Sequence, residues 1–178
     1  LHDARYAGES AGDKLARLRE TLADQRIDTL VISDPHNVAW AFNIRGNDVA
    51  HTPLPLAFAL VPASGRPALY VAAGKLDNRT RAALEDLTDV REPSCFLADL
   101  DALKGRAVQI DRGTGADALT RRLEAAGAHT TRVADPVTAM KAVKNETEVA
   151  GSRAAHRRDG AALVRFLAWF DREAPGGK

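Results

Sequence analysis

Asp28-Thr-Leu-Val-Ile-Ser33 runs directly into Asp34-Pro35, and this junction constrains the fold more than any other stretch. The first run is apolar and β-branched, so it reads as a buried strand. Asp34 and Pro35 fit N-cap and N1 of a helix, because the first helical residue leaves its N–H unpaired and proline has none. That helix carries Val38, Ala41 and Phe42 on one side. A buried strand passing at once into a helix requires a helix layer packed on a sheet.

The alternation continues on both sides. Asp13 can cap a helix with Leu15, Leu18 and Leu22 at helical spacing, after a connector at 1–11 with no clear period. Pro53 and Pro55 exclude a helix interior, so Leu56–Val61 reads as a strand, turning at Ser64-Gly65 into Ala68–Ala72 as a hairpin. Helices follow at Leu76–Leu87, Cys95–Leu103 and Ala116–Ala126, the last two stopped by Gly105 and Gly127. Strands are expected at Val90 (a short edge), Ala107–Ile110 and Thr130–Ala134. From Pro136 onward the chain reads helical. Asn145 and Glu148 form a capping-box-like start, and Leu163, Phe166, Leu167 and Phe170 repeat at i, i+3, i+4, i+7. The expected class is α/β, a mixed sheet flanked by helices with a C-terminal helical extension.

Charge and composition exclude several functions. Twenty-five basic and 24 acidic side chains give +1, which argues against nucleic acid or an anionic membrane as the main partner. No apolar run approaches the ~18 residues a membrane-spanning helix needs. No charged-then-apolar leader is present, and Cys95 stands alone, so no internal disulfide is possible; both suit a cytoplasmic location. The chain starts at Leu1, its one methionine is Met140, and it ends Pro-Gly-Gly-Lys, which together read as a piece excised from a longer protein.

Most strings that carry chemistry elsewhere lack their context here. Gly8-Glu-Ser-Ala-Gly12 matches a nucleophile elbow, but the residues before it make a poor strand. Gly113-Thr-Gly115-Ala-Asp-Ala118 follows a strand, opens a helix and has Asp135 20 residues beyond Gly115. That order permits a nucleotide phosphate at the turn, so a small nucleotide-binding module using Gly113 and Gly115 is the alternative reading. Arg112 and Thr114 are bulkier than such a cradle needs. The histidines His2, His36, His51, His129 and His156 show no metal-ligand spacing, although Asp111, His129 and Asp135 could converge at strand ends. His156 reads as a surface or interface residue in a basic helix, and Trp40 and Trp169 as packing residues.

The loop from Arg45 to His51 supports two readings. In one, Arg45 pairs with Asp48, Gly46 supplies a positive φ, and the prolines fix entry to the next strand. In the other, Arg45 or His51 reaches outward to a carboxylate or peptide group.

Three strings in family order resolve the context. Trp40-Ala-Phe-Asn-Ile-Arg-Gly-Asn-Asp-Val-Ala-His-Thr-Pro-Leu-Pro55, Lys141-Ala-Val-Lys-Asn-Glu-Thr-Glu-Val-Ala-Gly-Ser-Arg-Ala-Ala-His-Arg-Arg-Asp-Gly160 and Tyr6-Ala-Gly-Glu-Ser-Ala-Gly-Asp-Lys-Leu15 resemble aminopeptidase P, also called Xaa-Pro aminopeptidase, in its long three-domain form. The resemblance implies a connector at 1–11 and a middle, creatinase N-terminal-like (ribonuclease H-like) domain at 12–135. It further implies that 136–178 is a linker plus the first helix of a pita-bread catalytic domain. It implies a hydrolase acting on peptides with proline second, with a manganese pair whose ligands lie beyond Lys178. No catalytic, cofactor-binding or metal residue is therefore carried onto this chain. The implied partners are the chain's own catalytic domain, a second copy in a homodimer, and peptide substrate. By analogy with two-domain relatives, Arg45 and His51 are the candidates for the rim of a substrate site.

Overall fold

The structure is a computed structural model that describes Leu1–Gly176; the end of the Pro-Gly-Gly-Lys string at 177–178 lies outside the described residues. Strand β1 (Thr29–Ile32) lies in the middle of the sheet, and all four of its residues are buried. It pairs antiparallel with β2 (Phe58–Pro62) and parallel with β5 (Ala107–Asp111). Strand β3 (Ala68–Tyr70) closes the hairpin with β2, β4 (Asp89–Arg91) adds a parallel edge to β3, and β6 (His129–Val133) adds one to β5. The order is β4-β3-β2-β1-β5-β6, a mixed sheet of six strands.

Side chains of successive strand residues point to opposite faces, so each central strand feeds two cores. Leu30, Ile32, Ala59, Val61 and Leu69 face one way. There they meet Leu15, Leu18 and Leu22 of α2 (Ala11–Asp24), Val38 and Ala41 of α3 (Pro35–Ala41), Leu84 of α4 (Asn78–Glu85) and Val137 of α7 (Pro136–Ala142). Val31, Leu60, Tyr70, Val108 and Ile110 face the other way, against Phe96 and Leu100 of α5 (Phe96–Asp101) and Leu123 of α6 (Asp117–Ala125).

Helix starts follow their caps. Asp34 accepts from the His36 N–H, with Pro35 at the first turn, as the sequence requires. For α2 the cap lies further back: Ser10 Oγ accepts from the Asp13 N–H, so Asp13 sits inside the first turn, where a carboxylate favours the helix dipole. The stretch before it contains a one-turn helix, α1 (Ala4–Ala7), too short to show a period. The helix expected at Leu76–Leu87 is confined to Asn78–Glu85 by its cap Asp77. A break at Val143–Asn145 divides α7 from α8 (Glu146–Glu173), a helix of 28 residues with none buried. Both halves of the Asn145/Glu148 capping box form, with Glu148 N–H to Asn145 Oδ1 at 2.9 Å and Asn145 N–H to Glu148 Oε2 at 3.0 Å. Among the described residues no helix is long and apolar enough to cross a membrane.

Candidate functional site

The loop between α3 and β2 is held at both ends. Ile44 and Leu54 are buried and anchor it to the body. Arg45 does not pair with Asp48. Its Nη1 donates instead to the carbonyls of Ala39 (3.2 Å) and Ile44 (2.8 Å), closing the C-terminal turn of α3. Asp48 accepts from Lys75 Nζ at 2.6 Å and from the Leu56 N–H at 2.6 Å. The Lys75 hydrogen bond, with that of Leu56, holds its carboxyl below the ordinary aspartate value. Gly46 does not take a positive φ; those in this loop are Asn43 (49°) and His51 (60°). Glycine is required at 46 because a Cβ would lie 2.9 Å from the Pro55 nitrogen. His51 is exposed at the outer turn, between Val49 and Thr52, which form an isolated bridge.

Arg45 faces a cleft of about 370 Å³ lined by His36, Ala39, Trp40, Thr52, Pro53, Leu54, Lys141, Lys144 and Glu148. Its floor is apolar, with Leu54 and Trp40 buried. Its cations come from three places: the loop (Arg45), α7 (Lys141) and the α7–α8 junction (Lys144). Burial holds the Arg45 guanidinium below its usual value, with Glu148 opposing. His51 does not line this cleft, so the structure gives Arg45 and His51 different surroundings.

Behind the cleft lies polar structure that the sequence did not reveal. Lys14 is 2% exposed. Its Nζ donates to Asn43 Oδ1 (2.7 Å) and the Trp40 carbonyl (3.2 Å) and lies 4.2 Å from the Trp40 ring centroid. Burial lowers its pKa against the opposing charges of Glu148 and Glu9. Asn43 Nδ2 donates to the Glu9 carbonyl and Asn145 Nδ2 to the Ala7 carbonyl, tying the N-terminal segment to α3 and to the start of α8. Lys141 Nζ donates to Asn37 Oδ1 (2.6 Å), and Asn37 Nδ2 donates to Asp135 Oδ2 (2.8 Å). Burial pushes the Asp135 carboxyl up, against hydrogen bonds from Asn37 and Val137 that pull it down. A lysine in a helix and an asparagine after a proline carry no spacing signal for burial. Only the place of Lys14 four residues before Leu18, on the buried side of α2, hints at it.

The Gly113/Gly115 turn is filled from within. Asp111 Oδ2 accepts from the N–H groups of Gly113 (3.2 Å) and Thr114 (2.7 Å) and from Thr114 Oγ1 (2.7 Å), the donors a phosphate would need. Gly115 is required because a Cβ would lie 2.7 Å from Ile110 Cγ1 and closer still to the Asp111 carbonyl. Asp111 and Asp135 do meet, through the Asp135 N–H to Asp111 Oδ1 at 2.9 Å. His129 pairs with Ala107 at the opposite end of β6 and does not join them. Among the described residues no group of three or more His, Cys, Asp or Glu could hold a metal ion.

Residues 1–148 match the creatinase/prolidase N-terminal domain family. The chain belongs to that family. Its match to this N-terminal domain ends in the first turn of α8, but curated relatives continue through the helix. A probable Xaa-Pro aminopeptidase P of Laccaria bicolor is 34% identical over 98% of the chain, and one of Paracoccidioides brasiliensis is 32% identical over 97%. The chain spans 28% and 30% of those proteins. Among solved structures, an X-prolyl aminopeptidase of Caenorhabditis elegans, described as a cytosolic enzyme with a di-nuclear active site, superposes with a TM-score of 0.88 at 24% identity. That match covers 100% of this chain and 30% of the other. A Xaa-Pro dipeptidase of Bacillus anthracis superposes at 0.67 with 15% identity, over 90% of this chain and 44% of the other. These two establish a shared fold for the creatinase N-terminal domain.

Proposed function

We propose that the chain is a non-catalytic domain of a proline-specific metallo-aminopeptidase, one that removes the first residue from peptides with proline second. The observation that carries this reading is collinear similarity over 98% of the chain to a probable Xaa-Pro aminopeptidase P of which the chain spans 28%. The chemistry then belongs to the remaining length, with manganese bound by ligands outside this chain. Residues 136–178 supply a linker and the first helix of that catalytic domain. The domain scaffolds the enzyme, supports a homodimer in the cytoplasm, and limits access to the site. Arg45 and His51 stand at the rim: the first lines a cationic cleft, and the second is exposed on the loop beside it.

Kinetics of the full-length parent test this. Arg45→Ala and His51→Ala should each lower kcat/KM for an Xaa-Pro peptide by about tenfold, the scale of one charge-assisted hydrogen bond. Unchanged kinetics and unchanged dimerisation would remove the rim role. The 178-residue chain with manganese should not turn over the same peptide, and turnover would overturn the assignment.

A further inference from the structure

Arg45, Lys141 and Lys144 converge on the cleft above the Trp40 and Leu54 floor, yet none of them forms a salt bridge among the described residues. Some exposed arginines elsewhere are paired, as in Arg17–Glu9 and Arg122–Asp101. Glu148, the acidic side chain on the cleft, accepts from the Asn145 N–H in the capping box through Oε2 and still acts on Arg45 as the one carboxylate facing three cations. Among the described residues the guanidinium of Arg45 donates through Nη1 alone. Each lysine donates one bond: Lys141 to Asn37 Oδ1, and Lys144 to the Lys141 carbonyl. Spare donors of positive charge therefore remain on all three. The floor adds buried apolar surface, and among the described residues the buried indole Nε1 of Trp40 has no acceptor.

Three cations facing one carboxylate over an apolar floor leave an excess of positive charge, matched to a small anion with an apolar body held by charge-assisted bonds and by burial. The volume, 370 Å³, suits one or two amino-acid residues, at the lower end of the roughly 300–1,000 Å³ of small-molecule clefts. We propose that this cleft binds the C-terminal carboxylate of a short peptide, with Arg45 and Lys144 taking the carboxylate and Trp40, Pro53 and Leu54 taking the last side chain. The inference rests on the peptidase reading, because it names which end of the substrate the rim recognises. It makes the parent selective for short peptides with a free carboxyl end. Planar, forked recognition of a carboxylate suits Arg45, and Lys144 adds a point charge.

The test compares Ala-Pro-Leu with its C-terminal amide at matched ionic strength. In the 178-residue chain, the Trp40 indole and Arg45 side-chain resonances should shift and saturate with the acid. The amide should bind about tenfold more weakly, the size of one charge-assisted hydrogen bond. Equal binding of the two, or none of either, overturns the inference without any variant. In the full-length parent, kcat/KM should favour the acid by a similar factor, and Arg45→Met should bring that ratio to about one while Arg45→Lys retains part of it. A parent that cleaves both peptides with equal kcat/KM overturns the inference and leaves the peptidase reading intact. A parent that cleaves neither removes the peptidase reading, and the resonance shifts still decide whether a carboxylate site exists.

Discussion

Replacing Lys14 with methionine separates the stem of this buried side chain from its charge. The stem packs within α2 beside Trp40, and the ammonium satisfies Asn43 Oδ1 and the Trp40 carbonyl. Lys14→Met should cost about 1–2 kcal/mol, because two buried acceptors lose a donor while volume is kept. Lys14→Ala should cost about 3 kcal/mol, since a cavity is added. Urea unfolding reads both. Burial lowers the folded-state pKa below 10.5, so the unfolded chain holds the proton to higher pH. Wild type should therefore gain stability relative to Lys14→Met as pH rises from the folded value toward 10.5, and an alkaline urea series checks the sign. Asp48 behaves in the opposite way. Its folded pKa lies below 3.8, so its contribution is present above 3.8 and is lost as pH falls through the folded value. Lys75→Met should raise the Asp48 pKa toward its ordinary value in an NMR titration, at a cost under about 1 kcal/mol for so accessible a pair. Gly115→Ala should destabilise by at least about 2 kcal/mol because its Cβ meets backbone. Gly113→Ala should be mild, with 3.4 Å to the nearest atom.

Asn145 is where two elements are fastened by one side chain. Its Oδ1 caps α8, and its Nδ2 donates to the Ala7 carbonyl at 2.7 Å. Asn145→Asp preserves the acceptor and loses the donor, whereas Asn145→Ala loses both. The alanine variant should lose about 1–2 kcal/mol of capping, and amide exchange should speed up in the first turn of α8. The aspartate variant should keep α8 protected and release exchange only in Ala4–Ala7; release of both helices in it would refute the division of labour. The cap and the strand runs were legible because their signals are local: β-branched runs for β1 and β5, proline after aspartate for α3, the helical run from Pro136 for α7, and Asn-x-x-Glu for α8. The sheet's mixed pairing followed from the hairpin. The Arg45 contacts and the filled turn at Asp111 were not legible. They depend on which backbone carbonyls and amides lie within reach once the elements pack, and neighbours at i, i+3 gave a plausible but wrong partner for Asp48. Arg45 and His51 were candidates from the loop's composition and were placed at a rim by resemblance, whereas Lys141 and Lys144 carried no signal for lining a cleft because lysines in helical sequence read as solvated.

At the scale of the molecule, α8 is the part that the rest of the chain does not complete. Leu163, Val164, Phe166, Leu167, Trp169 and Phe170 are between 47% and 65% exposed. The Trp169 and Phe166 ring centroids lie 5.8 Å apart. At roughly 100 Å² each, six half-exposed large side chains present about 600 Å² of apolar surface, at the upper limit for a monomeric protein. The α/β layers are closed by two cores that do not draw on these residues. The stripe and the folded body are therefore separable. The 178-residue chain should self-associate with rising concentration in light scattering and bind an apolar dye. Phe166→Glu with Phe170→Lys, placed one turn apart as a compatible i, i+4 pair, should keep it monomeric without lowering the melting temperature of the body. If the wild-type chain stays monomeric at about 100 μM and binds no dye, the stripe is already satisfied by the chain itself, and its role as the seat of a further domain fails. If the double variant unfolds the body, the separation between α8 and the two cores fails instead.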